Sequence, residues 1–155
     1  MGAKWMIIPA FALLLSGCAG MQKPKIFTVD KDTFFVEAED FGLTDARVMD
    51  LEGASGGKTV VFEDASSKAE ATIPLSKGNY EITVYGMGPS YEEDAFFLTV
   101  DENAEQRMWM ETPGDIMPTM EYYSYTQQAD SPCHILLTYI EPNVELDRVK
   151  FVRIQ

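Results

Sequence analysis

Short segments of alternating or continuous apolar residues recur at close spacing along this chain, broken by Gly, Pro, Asn and Asp, and helix-period patterns are almost absent. Thr59-Val60-Val61-Phe62-Glu63 is one such segment, and Ala69-Glu70-Ala71-Thr72-Ile73 alternates strictly. Successive strand side chains point to opposite faces, so this period marks half-buried strands. Lys77-Gly78-Asn79 forms a turn into Tyr80-Glu81-Ile82-Thr83-Val84-Tyr85, and Gly86-Met87-Gly88-Pro89 breaks the chain before Ala95-Phe96-Phe97-Leu98-Thr99-Val100. Further strand signals cover residues 107–110, 121–126, 134–140 and 147–154, while residues 40–52 leave room for a single helical turn. About nine or ten short strands separated by turn residues predict an all-β fold, an antiparallel β-sandwich.

The N-terminus carries a different pattern. Met1 to Lys4 is a short basic start, Trp5 to Leu15 an almost unbroken apolar run, and Leu15-Ser16-Gly17-Cys18 a small-residue site ending in cysteine. The run is too short for a permanent membrane-spanning helix, so residues 1–17 read as a cleaved signal peptide. Leu-Ser-Gly-Cys resembles the bacterial lipobox, which implies lipidation of Cys18 and a protein held in the bacterial cell envelope, at the outer membrane or cell surface, by acyl chains. Residues 18–32 then form a tether, with Ile26-Phe27-Thr28-Val29 able to dock as an extra edge strand, and residues 33–155 form the sandwich.

About 138 of the 155 residues remain after such processing, enough for one domain with a core. The net charge of −13, made one unit more negative by loss of Lys4, excludes nucleic acid and bare anionic lipid as favoured partners. With Cys18 lipidated, Cys133 stands alone and no intramolecular disulfide can form. Cys133 reads as a small buried hydrophobe, because His134, the only histidine, points to the opposite strand face and cannot serve it as a base.

Carboxylates are the oddity. In Phe34-Phe35-Val36-Glu37-Ala38-Glu39-Asp40, strand periodicity puts Glu37 and Glu39 on one face with Phe35 and Phe41, and in Leu146-Asp147-Arg148-Val149 it puts Asp147 with Val149 and Phe151. Buried carboxylates are costly unless protonated, paired or bound to a cation. Pairing of the first and last strands would gather three of them around one hard cation, for which Ca²⁺ suits best. The competing reading is that Glu37 and Glu39 line a solvated face. Against it, Phe34, Val36 and Ala38 make the opposite face apolar as well.

From Phe34 to Ile154 the ordered segments resemble the carbohydrate-binding modules of families six and thirty-five, within the galactose-binding-like jelly rolls. The resemblance rests on Val36-Glu37-Ala38-Glu39-Asp40-Phe41, the turn Ala54-Ser55-Gly56-Gly57-Lys58, and Ala69 to Leu75 running into Lys77-Gly78-Asn79-Tyr80-Glu81-Ile82. Phe97-Leu98-Thr99-Val100-Asp101-Glu102 followed by Trp109, and Leu136-Leu137-Thr138-Tyr139 through Asn143 to Leu146-Asp147-Arg148-Val149, complete it. It implies a jelly roll with a structural Ca²⁺ held by Glu37, Glu39 and Asp147, with backbone oxygens near Lys58. It also implies a sugar cleft in the loops at one end, with Asn143 and Trp109 in the family's asparagine and aromatic positions and Tyr91 in a neighbouring loop. Each has a plainer reading: Asn143 follows Pro142 and suits a turn, Trp109 lies between Met108 and Met110 and suits a core, and Tyr91 suits a lone surface ring.

Pro89-Ser90-Tyr91-Glu92-Glu93-Asp94 stands where many members of the resembled families carry an arginine or a glycine-asparagine stretch; its acids disfavour uronic acids and leave either neutral or cationic sugars or a cleft without function. Three functions compete. The first is a non-catalytic lipoprotein that binds a glycan or polysaccharide. The second is a structural or protein-interaction lipoprotein on the same scaffold, with Met117, Met120, Tyr122, Tyr123 and Tyr125 as its contact face. The third, an enzyme using Glu92-Glu93 or Asp101-Glu102 as an acid pair, is disfavoured because adjacent acids on loops are solvated charge and no nucleophile-base or phosphate-cradling pattern occurs.

Overall fold

A computed structural model describes residues 23–110 and 113–154. The signal peptide, Cys18 and the first part of the tether lie outside the described residues.

Thirteen strands form among them: β1 (Ile26–Thr28), β2 (Thr33–Glu37), β3 (Gly42–Thr44), β4 (Ala46–Asp50), β5 (Lys58–Phe62), β6 (Lys68–Leu75), β7 (Gly78–Met87), β8 (Ala95–Val100), β9 (Gln106–Trp109), β10 (Met117–Pro118), β11 (Tyr123–Gln127), β12 (Ser131–Tyr139) and β13 (Val144–Ile154). Every pairing is antiparallel. One sheet runs β1-β2-β13-β5-β4, with β7 on the other edge of β13 and β10 and β11 beyond β7. The second runs β3-β6-β12-β8-β9.

Alternation explains why these segments face each other. In β7, Tyr80, Ile82 and Val84 are buried while Glu81, Thr83 and Tyr85 are half-buried on the other face. Ile82 and Val84 meet Val60, Phe62, Val149 and Phe151 in one layer of the core, and Ala71, Ile73, Leu98, Val100, Ile135 and Leu137 supply the other. Phe34 stacks on Phe151 at 4.7 Å, which seats the start of β2 on that core. Each such side chain contributes about 1.5–3 kcal/mol on burial, so the sandwich is a hydrophobic assembly before it is anything else.

Two expectations need correcting, and a third, the extra edge strand at Ile26-Phe27-Thr28-Val29, is met. Residues 40–52 hold no α-helical turn: a 3₁₀ turn occupies Ala38–Asp40, and β3 and β4 follow. Both strands are short, largely exposed and at sheet edges, where alternation is weakly written. Ile26–Thr28 does pair with β2, so the sheet begins within the segment read as tether. Strand periodicity also fails at the carboxylates, since β2 ends at Glu37 and Glu39 belongs to the 3₁₀ turn. Val36 and Phe34 face the core, whereas Phe35 packs edge-on against Tyr85 of the outer face at 6.1 Å.

Candidate functional site

The 11-residue β13 exchanges partners along one edge. Residues 144–146 pair with β5 and residues 148–152 with β2, so two strands lie end to end against it. Asp147 is the residue skipped between them, and the β7 side shows the same break, with Leu146 opposite Gly86 and Arg148 opposite Tyr85. An extra residue of this kind is a β-bulge, which bends the strand and re-aims a side chain. The 3₁₀ turns Ala38–Asp40 and Ser55–Gly57 sit at the ends of β2 and β5 that meet here.

This junction brings Glu37, Glu39 and Asp147 into one neighbourhood. Asp147 is 1% exposed and Glu37 8%. Ser55 links them, its backbone N–H donating to Asp147 Oδ1 at 2.6 Å and its hydroxyl to Glu37 Oε1 at 2.8 Å. Gly56, at φ +65°, lets the turn pass so close to Glu39 that a Cβ there would lie 3.0 Å from Oε1. Arg148 sits across the junction, with Nε 3.5 Å from Asp147 Oδ2 and a terminal nitrogen donating to Ser55 Oγ at 3.4 Å. Its guanidinium lies 4.5 Å from the Phe35 ring centroid and 5.0 Å from that of Tyr85, an arrangement that holds a cation between two π faces.

Donors run short. Glu37 Oε2 and Glu39 Oε2 are buried and have no hydrogen-bond partner, and neither has Arg148 Nε. Burial pushes the Glu39 carboxyl above the usual range, reinforced by the charges of Glu37, Asp40 and Asp147. Burial likewise raises Asp147, opposed by the Ser55 N–H and Arg148. Among the described residues no group of three His, Cys, Asp or Glu side chains is already arranged as a metal cage. The two orphaned carboxylate oxygens nonetheless fit a hard cation. Asp147 can share its engaged oxygens, since each carries more than one lone pair. Lys58 opens β5 beside the Ser55–Gly57 turn with its side chain exposed, bordering the same depression of about 590 Å³ as Glu37 and Glu39.

The other predicted site gathers at one end of the sandwich, where the loops after β5, β7, β9 and β12 lie. Trp109 closes β9 opposite Ala95 and is 37% exposed, with the Arg107 guanidinium 4.9 Å from its ring centroid. The indole is therefore a surface ring, and Met108 and Met110 on either side fill the core. Tyr91, in the loop after β7, is 73% exposed. Asn143 is exposed, adopts φ +60° and donates its N–H to Phe62 O at 2.7 Å. Its turn conformation accounts for an asparagine there. These three residues share an end of the fold, and none of them lines any of three depressions of about 570–590 Å³ found elsewhere on the sandwich.

Sequence reasoning missed the residue that organises this end. Glu141 Oε2 accepts the N–H groups of Asp94 and Ala95, each at 2.8 Å, and Oε1 accepts from Arg107 at 2.7 Å. It thereby holds the loop of Tyr91 and the arginine under Trp109 in place. Burial and the nearby Glu141 raise the Asp94 carboxyl. A Glu-Pro pair ahead of Asn143 was the available signal, and it specified a turn without specifying what the carboxylate would grip.

Asp101 is not half of an acid pair. At φ +51° it accepts from the His134 N–H at 2.7 Å and from the Tyr125 hydroxyl. Tyr123 and Tyr125 are 6% and 8% exposed, so they leave the suggested contact face, while Met120 and Tyr122 stay exposed and Met117 is half-buried. Cys133 is fully buried, its thiol pushed up to about 12 by burial, and His134 turns away to within 3.4 Å of Glu70.

No protein-family model matches the chain, and no curated protein matches it by sequence. Solved structures do match. The GH26-CBM35 β-(1,4)-mannanase of Podospora anserina aligns at a TM-score of 0.69 and 15% identity, over 81% of this chain and 28% of that one. An exo-β-1,3-galactanase of Phanerochaete chrysosporium gives 0.65 and 13%, over 76% and 28%. The chain thus spans under a third of these enzymes. A family 35 carbohydrate binding module from Clostridium thermocellum gives 0.64 and 17%, over 85% of this chain and 99% of the module. The chain is similar to that module from end to end, and the fold it shares with all three is the antiparallel β-sandwich jelly roll of family 35 carbohydrate-binding modules.

Proposed function

We propose that this chain is a non-catalytic lipoprotein of the bacterial cell envelope that binds a glycan through the loop end of its sandwich and is stapled by a structural Ca²⁺. The likeness to a complete family 35 module, rather than to the catalytic part of an enzyme, carries this reading. Trp109 supports it locally. A sugar's C–H face packs on an exposed ring, and Arg107 and Glu141 hold this ring in one orientation. Glu92, exposed in the same loop as Tyr91, favours neutral or cationic sugars over uronic acids. Membrane attachment rests on Cys18; among the described residues no helix is long and apolar enough to cross a membrane.

The cation is held by Glu37 and Glu39 through their unpartnered oxygens, with Asp147 completing the negative charge. When bound, it neutralises carboxylates that the protein leaves without donors and joins β2 to β13.

A glycan array probed with the full chain tests the sugar reading. Binding to a neutral or amino-sugar glycan is expected. Loss is expected in Trp109→Ala, and weakening in Asn143→Gly, which keeps the turn while deleting the amide. No binding to any glycan would overturn it. The exposed Met120 and Tyr122 favour the alternative, a protein-interaction module, which a pull-down lost in Met120→Asp/Tyr122→Asp would then support.

A further inference from the structure

Arg148 is a cationic side chain that the sheet itself wedges against the carboxylate junction. Its position is over-determined: backbone pairing sets it opposite both Glu37 and Tyr85, and the rings of Phe35 and Tyr85 flank its guanidinium. Its side chain is only 32% exposed, with Nε buried and unpartnered 3.5 Å from Asp147. Lys25 and Lys58 border the same depression, but both are exposed and their charges are screened by water.

A guanidinium so placed cannot leave when a cation arrives, and it cannot lose its proton. The junction therefore carries the charges of three carboxylates and one permanent internal cation. An entering cation meets that fixed positive charge beside the carboxylates, and a trivalent ion is repelled by it more than a divalent one. An arginine fixed between two rings also differs from a mobile lysine. It keeps the site at that charge without swinging in to occupy the cation's place.

We propose that Arg148 is a specificity-determining residue of the cation site, setting it for divalent over trivalent ions by acting as a built-in counter-charge. This rests on the proposed cation site at Glu37, Glu39 and Asp147. Repulsion from the guanidinium scales with the charge of the entering ion. Removing it should strengthen binding of Ca²⁺, and strengthen binding of a trivalent ion of similar size, such as Tb³⁺, by a larger factor. If Ca²⁺ binding tightens about tenfold, the same field tightens Tb³⁺ binding about thirtyfold, a threefold shift in preference.

The test is calorimetric titration of the full chain in detergent with Ca²⁺ and with Tb³⁺, for wild type, Arg148→Gln, Arg148→Met and Arg148→Lys. Both neutral variants should bind both ions more tightly, with Tb³⁺ preference raised about threefold, while Arg148→Lys should keep the wild-type preference to within about twofold. Met preserves packing between the rings, which separates lost charge from lost contact. If a variant unfolds without ions, the preference is read from how far each ion raises its melting temperature, because ligand affinity appears there as stability. Wild type that binds Ca²⁺ with neutral variants of unchanged preference, or of weaker affinity, overturns the role of Arg148. Wild type that binds neither ion overturns the cation site itself, and with it this role.

Discussion

Two groups of buried or half-buried carboxylates lie in this sandwich, and the protein treats them in opposite ways. Asp101, in the turn after β8, has one oxygen on the His134 N–H and the other on the Tyr125 hydroxyl, and Gln127 and Ser131 extend the network at 2.7–2.9 Å. Glu37, Glu39 and Asp147 share Ser55 and Arg148, and two of their oxygens are left with no donor. Both groups lie at strand ends and both sit among apolar residues. A carboxylate supplied with donors is part of the structure. Carboxylates crowded together with too few donors are the arrangement on which the proposed cation site rests, because an unmet buried charge is costly.

The comparison can be broken in four ways. Asp101→Ala should destabilise the fold by about 2–3 kcal/mol, since it orphans the buried His134 N–H, leaves the Tyr125 hydroxyl only Gln127 as acceptor and places alanine at positive φ. Denaturant melts should give the same loss with Ca²⁺ or with chelator. A Ca²⁺-dependent loss would merge the two groups into one. Chelation of the wild type comes next. At about a hundredfold excess over its dissociation constant, Ca²⁺ should supply about 2.7 kcal/mol, seen as a melting temperature lowered by several degrees in chelator. An unchanged melting temperature would mean that the orphaned oxygens serve no cation.

Glu39→Gln sharpens the contrast, because its effect should change sign. With Ca²⁺ it should destabilise by about 1 kcal/mol through loss of a ligand. In chelator it should be neutral or stabilising, because it removes charge from a crowded group. The smallest effect is with pH. Burial raises Glu39 and Asp147, so the folded state holds their protons more tightly than the unfolded state. Their contribution is full below the ordinary carboxylate range near pH 4 and is lost as pH rises through the raised values. In chelator, stability of the wild type should therefore increase on acidification from pH 7 toward 5. That increase should shrink in Glu39→Gln and with Ca²⁺ present.

Much of the sandwich was legible because its long strands obey a period of two. β8 runs over the residues its sequence indicates, β6, β7 and β13 extend theirs by a few residues, and β12 begins three residues earlier and ends one residue sooner than its sequence indicates. β3, β4 and β10 were not legible, being short edge segments in which pairing with a neighbour supplies what the sequence pattern lacks. At the proposed cation site the three carboxylates do come together, but not for the reason strand periodicity gives. Glu39 does not share a strand face with Glu37. A 3₁₀ turn and a bulge bring the group together, and alternation has no way to encode an inserted residue. Ser55 was visible only as part of a glycine turn, and Arg148 only as the last letter of a motif. Their roles depend on contacts across 92 and 93 positions of chain.

The burial of Cys133 has a use in the laboratory. It lies on β12, the central strand of its sheet, opposite Ile73 of β6, and its side chain is fully buried between the two sheets. A thiol so placed, and so reluctant to ionise, reacts with an alkylating reagent only when the two sheets part. The rate at which Cys133 is modified is thus a clock for opening of the whole sandwich. Run with and without Ca²⁺, it would report how long the domain stays shut.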